Sequence, residues 1–183
     1  MRVGPVFRRS FGGFVLSGKL PPPALPIFLA ILRYAAAGLA VVLLQWLILG
    51  RLKIFGAAPD VVILYVAWIG LQFGRRAGSV AGFVSGLFLD AVYDAWGIHM
   101  LLKTVLGFVI GSFTAPDRDI LVVLPRQALL GGFVTAFIHN GLLVLLLAVR
   151  AGATNPAMLG SLWIGAAAYT AVLGFLAALF ARR

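Results

Sequence analysis

The chain has 183 residues, of which 62% are hydrophobic and 11% charged, with a formal net charge of +10 and no cysteine. A mean hydropathy of +1.08 and a charged fraction far below the roughly 25% typical of soluble domains exclude an ordinary soluble globule. Disulfides and thiolate metal sites are excluded too, and the Lys and Arg residues, scattered in ones and twos between apolar runs, form no stripe suited to nucleic acid.

What remains is a polytopic all-α membrane protein. Six spans of about 20 residues with short loops would use nearly the whole length, leaving no room for a soluble catalytic domain. Residues 1–25 are expected to form a basic N-terminal segment, with Arg2, Arg8, Arg9 and Lys19 interleaved with Phe7, Phe11 and Phe14. This segment reads either as an interfacial anchor on the cytoplasmic leaflet or as a disordered tail. The apolar run after it is too long for the core of a cleaved signal peptide. Residues 26–183 then make a single six-span domain.

Span 1 is predicted over 26–49, with Arg33 close enough to its start to snorkel to the headgroups. The loop 50–59 carries Arg51 and Lys53 and leads to Pro59-Asp60. Both residues suit a helix start, since proline lacks only an amide that would be free there and aspartate complements the positive end of the helix. Span 2 follows over 61–73, and Gly74-Arg75-Arg76 leaves room for a tight turn only, so spans 2 and 3 are antiparallel neighbours.

The stretch 74–97 organises the chain. Gly74, Gly78, Gly82 and Gly86 recur every four residues, and Asp90 and Asp94 continue the series. Glycines at this spacing let another backbone approach closely, and a carboxylate in a membrane needs a partner. Four-residue steps drift by about 40° each on a helix. The groove is therefore expected to wind, placing Gly78 and Gly82 on one neighbour and Gly86 with Asp90 on another. Spans 2 and 4 are the expected neighbours, an incoming helix from a partner the alternative.

Span 4 is predicted over 98–115, with Lys103 and the pair Gly107 and Gly111. The loop 116–124 holds Asp117, Arg118 and Asp119; span 5, over 127–149, contains His139 and Asn140; span 6, over 158–180, ends on Arg182-Arg183. With the N-terminus inside, ten basic residues fall on the cytoplasmic side, three (Arg51, Lys53, Arg150) fall outside, and Arg33 and Lys103 lie within spans. Retention of Lys and Arg on the cytoplasmic side thus puts both termini in the cytoplasm.

A hairpin centred between Trp96 and Gly97 sets Asp90 opposite Lys103 and Asp94 opposite His99. Such pairs would fix helix register. The same residues with His139 and Asn140 would also make a proton or substrate relay, or a polar surface that meets a partner. Catalytic templates do not fit: there is no P-loop and no H-E-x-x-H. The glycine that an intramembrane serine protease needs two before Ser85 is Phe83, and Asp90 follows Leu87-Phe88-Leu89, not the Gly-x-Gly of an intramembrane aspartyl protease. The two histidines offer too little for a metal site, and no cofactor is expected.

Pro59-Asp60, Gly74-Arg75-Arg76-Ala77-Gly78, Gly82-Phe83-x-x-Gly86-Leu87-x-x-Asp90, and Gly97 followed by Leu101-Leu102-x-Thr104 and Gly107 together resemble the rod shape-determining protein MreD family. The motif region covers about residues 59–111. The resemblance implies a non-enzymatic component of the bacterial inner membrane that binds MreC. It also implies work with RodA, its cognate transpeptidase, RodZ and MreB in lateral peptidoglycan synthesis. The copy number of the complex with MreC, one or two, stays open. The family's fold is similar to the S components of energy-coupling-factor transporters, which supplies an alternative: a capture subunit for a small vitamin-like solute.

Reporter fusions at Lys53, Gly97 and Gly152 are expected to read periplasmic; a cytoplasmic signal at any two of them rules this topology out.

Overall fold

Long apolar runs punctuated by Gly and Pro dictate helices, and helices are what form. A computed structural model describes residues 24–95, 97–114, 123–151 and 159–180, and every regular element among them is helical. Helix α1 (Ala24–Leu44) continues into a π-helical turn, Gln45–Leu49, closed by the Gly50 amide on the Gln45 carbonyl at 2.7 Å. Helices α2 (Val61–Phe73), α3 (Arg75–Tyr93), α4 (Ile98–Gly111) and α5 (Pro125–Ala151) follow, and a second π-helical turn, Ser161–Gly165, leads into α6 (Ala166–Phe180). Most of the basic segment 1–25, Trp96, the loop residues 115–122, the turn 152–158 and Arg182-Arg183 lie outside the described residues.

Three segments are long and apolar enough to cross a membrane: Pro26–Leu49, Pro125–Val149 and Ser161–Phe180. Apart from Arg33, Arg126 and Gln127 near their ends, their outward side chains are largely apolar, as at Ile31, Leu130 and Phe180, so the surface that water would shun is the one lipid favours. The other three helices differ. At 13 and 14 residues, α2 and α4 reach only about 20 Å against a hydrocarbon core of about 30 Å. Helix α3 opens on Arg75-Arg76 and carries Asp90. These three pack on one another, α3 against α4 most extensively, while α5 pairs with α6 and α1 lies at the edge.

Glycine makes the α2–α4 unit possible. A single residue, Gly74, turns the chain from α2 into α3 with φ 88° and ψ −178°, a conformation open essentially to glycine alone. Beyond it the α3 backbone lies directly on α4. A Cβ on Gly82 would overlap the Lys103 carbonyl, one on Gly78 the Gly107 carbonyl, and one on Gly86 would come 2.5 Å from Met100 Cα. In return, a Cβ on Gly107 would strike Gly78, and one on Gly111 would come 2.6 Å from Arg75 Cα. Gly70 of α2 closes the contact, its Cα 2.9 Å from the place a Gly78 Cβ would take.

This corrects the expected winding of the groove. Gly78, Gly82 and Gly86 all face α4, and Gly78 lies against Gly70 of α2 as well. The residues four apart form a ridge inclined to the helix axis, and a partner that crosses along the ridge stays with it. The drift of about 40° per step is taken up by the crossing angle rather than by a change of neighbour.

Because the obstruction at Gly82 and Gly107 is backbone, a side chain there cannot be absorbed by rotamer changes. Gly82→Leu and Gly107→Leu are expected to lower the yield of monodisperse protein severalfold on size-exclusion chromatography, overpacking costing about 1–3 kcal/mol or more. Gly131→Ala, where a Cβ meets nothing within 4 Å, should leave the yield unchanged; equal yields for all three variants would remove the close-packing role.

Candidate functional site

Most of the buried polar side chains gather around the start of α2. Asp60 is its N-cap, with Oδ1 accepting the Ile63 amide at 3.2 Å. The Asp60 amide donates to the Thr170 hydroxyl of α6 at 2.9 Å. Gln45, from the π-helical turn after α1, straddles the same peptide: its Nε2 donates to the Pro59 carbonyl at 2.8 Å and its Oε1 accepts the Val61 amide at 3.0 Å. The free amides of a helix start are thus met by side chains from three separate elements.

The remaining oxygen of Asp60, Oδ2, is paired with the Lys103 ammonium of α4. Lys103 is fully buried, so this carboxylate is what makes the cation tolerable in hydrocarbon. The expected pairing of Lys103 with Asp90 is therefore not the one formed. Asp90, also fully buried, instead caps α4 from outside. Its Oδ2 accepts the Gly97 and Met100 amides, both at 3.0 Å, and its Oδ1 accepts the His99 amide at 2.9 Å. A carboxylate on three free amides at the positive end of a helix dipole needs no cation.

The reason is register. With Gly82 on Lys103 and Gly78 on Gly107, each α3 position faces an α4 position about eight residues nearer the turn than symmetry about Trp96–Gly97 would give. Helix α3 therefore overshoots the start of α4 by about 9 Å, which brings Asp90 level with the first α4 amides and leaves Lys103 well below it. Asp94 is not joined to His99 by a hydrogen bond or ion pair. It ends α3 in the left-handed conformation (φ 52°, ψ 38°), which aspartate tolerates better than most residues.

His99 and His139 lie within electrostatic reach of the Asp60–Lys103 pair. The His139 Nδ1 is 3.1 Å from Asn140 Oδ1. Three atoms in this region, His99 Nδ1, His139 Nε2 and Asn140 Nδ2, are buried without a hydrogen-bond partner. His139 also lines a cavity of about 850 Å³ among α2, α4, α5 and α6. Among the described residues no set of three His, Asp or Glu side chains is placed to hold a metal ion. The geometry thus offers an anchored ion pair and, near it, a buried histidine whose Nε2 has no hydrogen-bond partner among the described residues.

The structure brings Pro59, Asp60, His99, Lys103, His139 and Asn140 into one region, and sets Asp90 and the glycines on the α3–α4 contact beside it. Gln45, Thr170 and Gly70 were not singled out in the sequence. Gln45 had a usable signal, being a full-length polar side chain inside span 1; Thr170 had none, since its hydroxyl equally serves its own helix by donating to the Ala166 carbonyl at 2.7 Å.

Removing one member of a buried pair leaves a bare charge and costs about 3–5 kcal/mol, whereas removing both costs much less. Asp60→Asn and Lys103→Met should each lower the thermal midpoint of purified protein by several degrees or more, with the double variant recovering at least half of the loss. Asp90→Asn should give Lys103→Met no such recovery; recovery by Asp90→Asn instead would overturn the pairing.

No protein-family model, curated protein or solved structure matches the chain.

Proposed function

We propose that the chain is a six-span, inner-membrane scaffold of MreD type, non-enzymatic, with both termini in the cytoplasm. It binds MreC and, with RodA, its cognate transpeptidase, RodZ and MreB, helps organise lateral peptidoglycan synthesis and rod shape. The observation that carries this reading is what the residues of the resemblance do. Asp60 locks α2 to α4 through Lys103, Asp90 caps α4, and Gly78, Gly82, Gly86, Gly107 and Gly111 set the α3–α4 distance. Groups spent in this way hold one shape for a partner to recognise; none is displayed as a nucleophile with a base beside it.

Helices α2, α3 and α4 complete the six spans as a unit. The pieces of a membrane protein that are short or charged are tolerated where their polar groups are satisfied against neighbours, and here Asp60, Lys103 and Asp90 are all so satisfied. The alternative, capture of a water-soluble vitamin-like solute, asks for several convergent polar groups in the pocket. The cavity wall is nearly all apolar, with Gln127, Thr135 and His139 as its hydrogen-bonding side chains apart from the indole of Trp68, which favours the scaffold.

Affinity purification from native membranes should recover a single-span periplasmic protein, and depletion should round rod-shaped cells. Recovery of transport ATPase subunits in its place would replace this reading with the capture subunit.

A further inference from the structure

The turn between the first span and α2 carries a feature that the scaffold reading leaves unused. Ile54 and Ala57 exchange both backbone hydrogen bonds, each at 2.9 Å, across Phe55 and Gly56, whose φ angles are 50° and 81°. A two-residue turn with positive φ at both central positions is normally filled by glycine, asparagine or aspartate. Phenylalanine in the left-handed region is strained, and with Phe55 95% exposed no packing among the described residues offsets the strain. Leu52 and Ile54 beside it are about half exposed.

The fold fixes where this tip lies. Ala57 is buried, and a Cβ on Gly165 would come 3.0 Å from the Ala57 Cβ, while one on Gly56 would come 3.9 Å from the Ser161 Cβ. Ser161 opens one apolar span, and Leu49, two residues before Arg51, closes another. The turn is therefore level with a membrane boundary. Trp46 and Trp163, both exposed, sit in the two π-helical turns at this same end, as tryptophans do at headgroup level. Arg51 and Lys53 flank Leu52 and are exposed, and among the described residues neither is in an ion pair.

Apolar side chains at such a boundary favour the acyl edge, and unpaired cations favour anionic headgroups just above it. A free anion would satisfy the cations and leave Phe55 in water; a neutral lipid would do the reverse. We propose that the turn 51–57 binds anionic phospholipid, with Leu52, Ile54 and Phe55 in the edge of the hydrocarbon and Arg51 and Lys53 on the headgroup phosphates. The site depends only on the chain spanning a bilayer, so loss of the MreC reading would not remove it.

The chain has no cysteine, so Leu52→Cys takes a single bimane fluorophore at the turn. The labelled full chain is placed in phosphatidylcholine nanodiscs containing increasing amounts of phosphatidylglycerol, or of phosphatidylcholine, that bears a quenching nitroxide near the top of one acyl chain. Half-maximal quenching should need about threefold less of the phosphatidylglycerol. Bimane on Val134→Cys, exposed in the middle of α5, should show no preference. Arg51→Gln with Lys53→Gln, or about 0.5 M salt, should remove the preference at the turn, whereas millimolar inorganic phosphate should leave it. Phe55→Asn, which keeps the turn because asparagine tolerates the left-handed conformation, should at least halve quenching by both lipids. Equal quenching by the two lipids at the turn, an equal preference at Val134, a preference that survives in the double variant, competition by phosphate, or unchanged quenching in Phe55→Asn would each overturn the proposal. Bimane shielded in native membranes but quenched by neither lipid in nanodiscs would assign the tip to a protein partner and overturn it as well.

Discussion

The pairing of Lys103 with Asp60 is the constraint on which the arrangement of helices depends. A lone ammonium in the hydrocarbon region costs about 2.5–3.5 kcal/mol on the mildest insertion scale and more on others, so Lys103 can be buried only where a carboxylate waits. Asp60 cannot move to meet it, because its other oxygen caps α2 and its amide is held by Thr170 of α6. Gln45 pins the adjacent peptide from the end of α1. One aspartate, through its carboxylate and its backbone amide, thereby sets the relative positions of α2, α4 and α6, with α1 tied to the same point.

Glycine packing supplies the second coordinate. In lipid, bringing two apolar surfaces together gains little, so helix association relies on close backbone approach and on hydrogen bonds. The α3–α4 contact uses both: the Gly82 face rests on the carbonyl of Lys103, and Asp90 takes three amides of the first α4 turn. Lys103 therefore sits where two constraints meet, its backbone against α3 and its side chain against α2. With the backbones this close there is no room for a long side chain between α3 and α4, and the lysine leaves sideways toward Asp60.

That crowding also explains what could and could not be read in the sequence. The helices were legible because apolar runs between Gly and Pro leave little else to form in a membrane. The capping role of Asp60 is written locally, within three residues of the amide it meets. Lys103's partner is not local: it depends on the offset between α3 and α4. Symmetry about the Trp96–Gly97 turn assumes equal overhang at the hairpin end, whereas the glycine ridge fixes the offset farther down, at Gly78, Gly82 and Gly86. A carboxylate near a helix end has two ways to be satisfied, a cation or free amides, and only the offset chooses between them. The same ridge geometry kept all three glycines on α4, where a count of degrees per residue on an isolated helix had divided them.

The molecule is consequently unequal in how firmly its parts are joined. Inside the α2–α4 unit, backbone touches backbone and the buried charges are satisfied. Between this unit and the α5–α6 pair, Gly132 and Gly174 leave space that the Leu64 side chain of α2 occupies, a Cβ on either glycine coming 3.3 Å from a Leu64 methyl, and the apolar cavity lies among the same helices. On α5, His139 and Asn140 keep buried polar atoms without a hydrogen-bond partner among the described residues, and His139 is close enough to the Asp60–Lys103 pair to feel its charges. Thr170 spans the seam from α6 to the Asp60 amide. A change in how the seam is filled therefore acts on the one polar node that positions α2 and α4, because the same helix pair walls the cavity and holds the carboxylate in place.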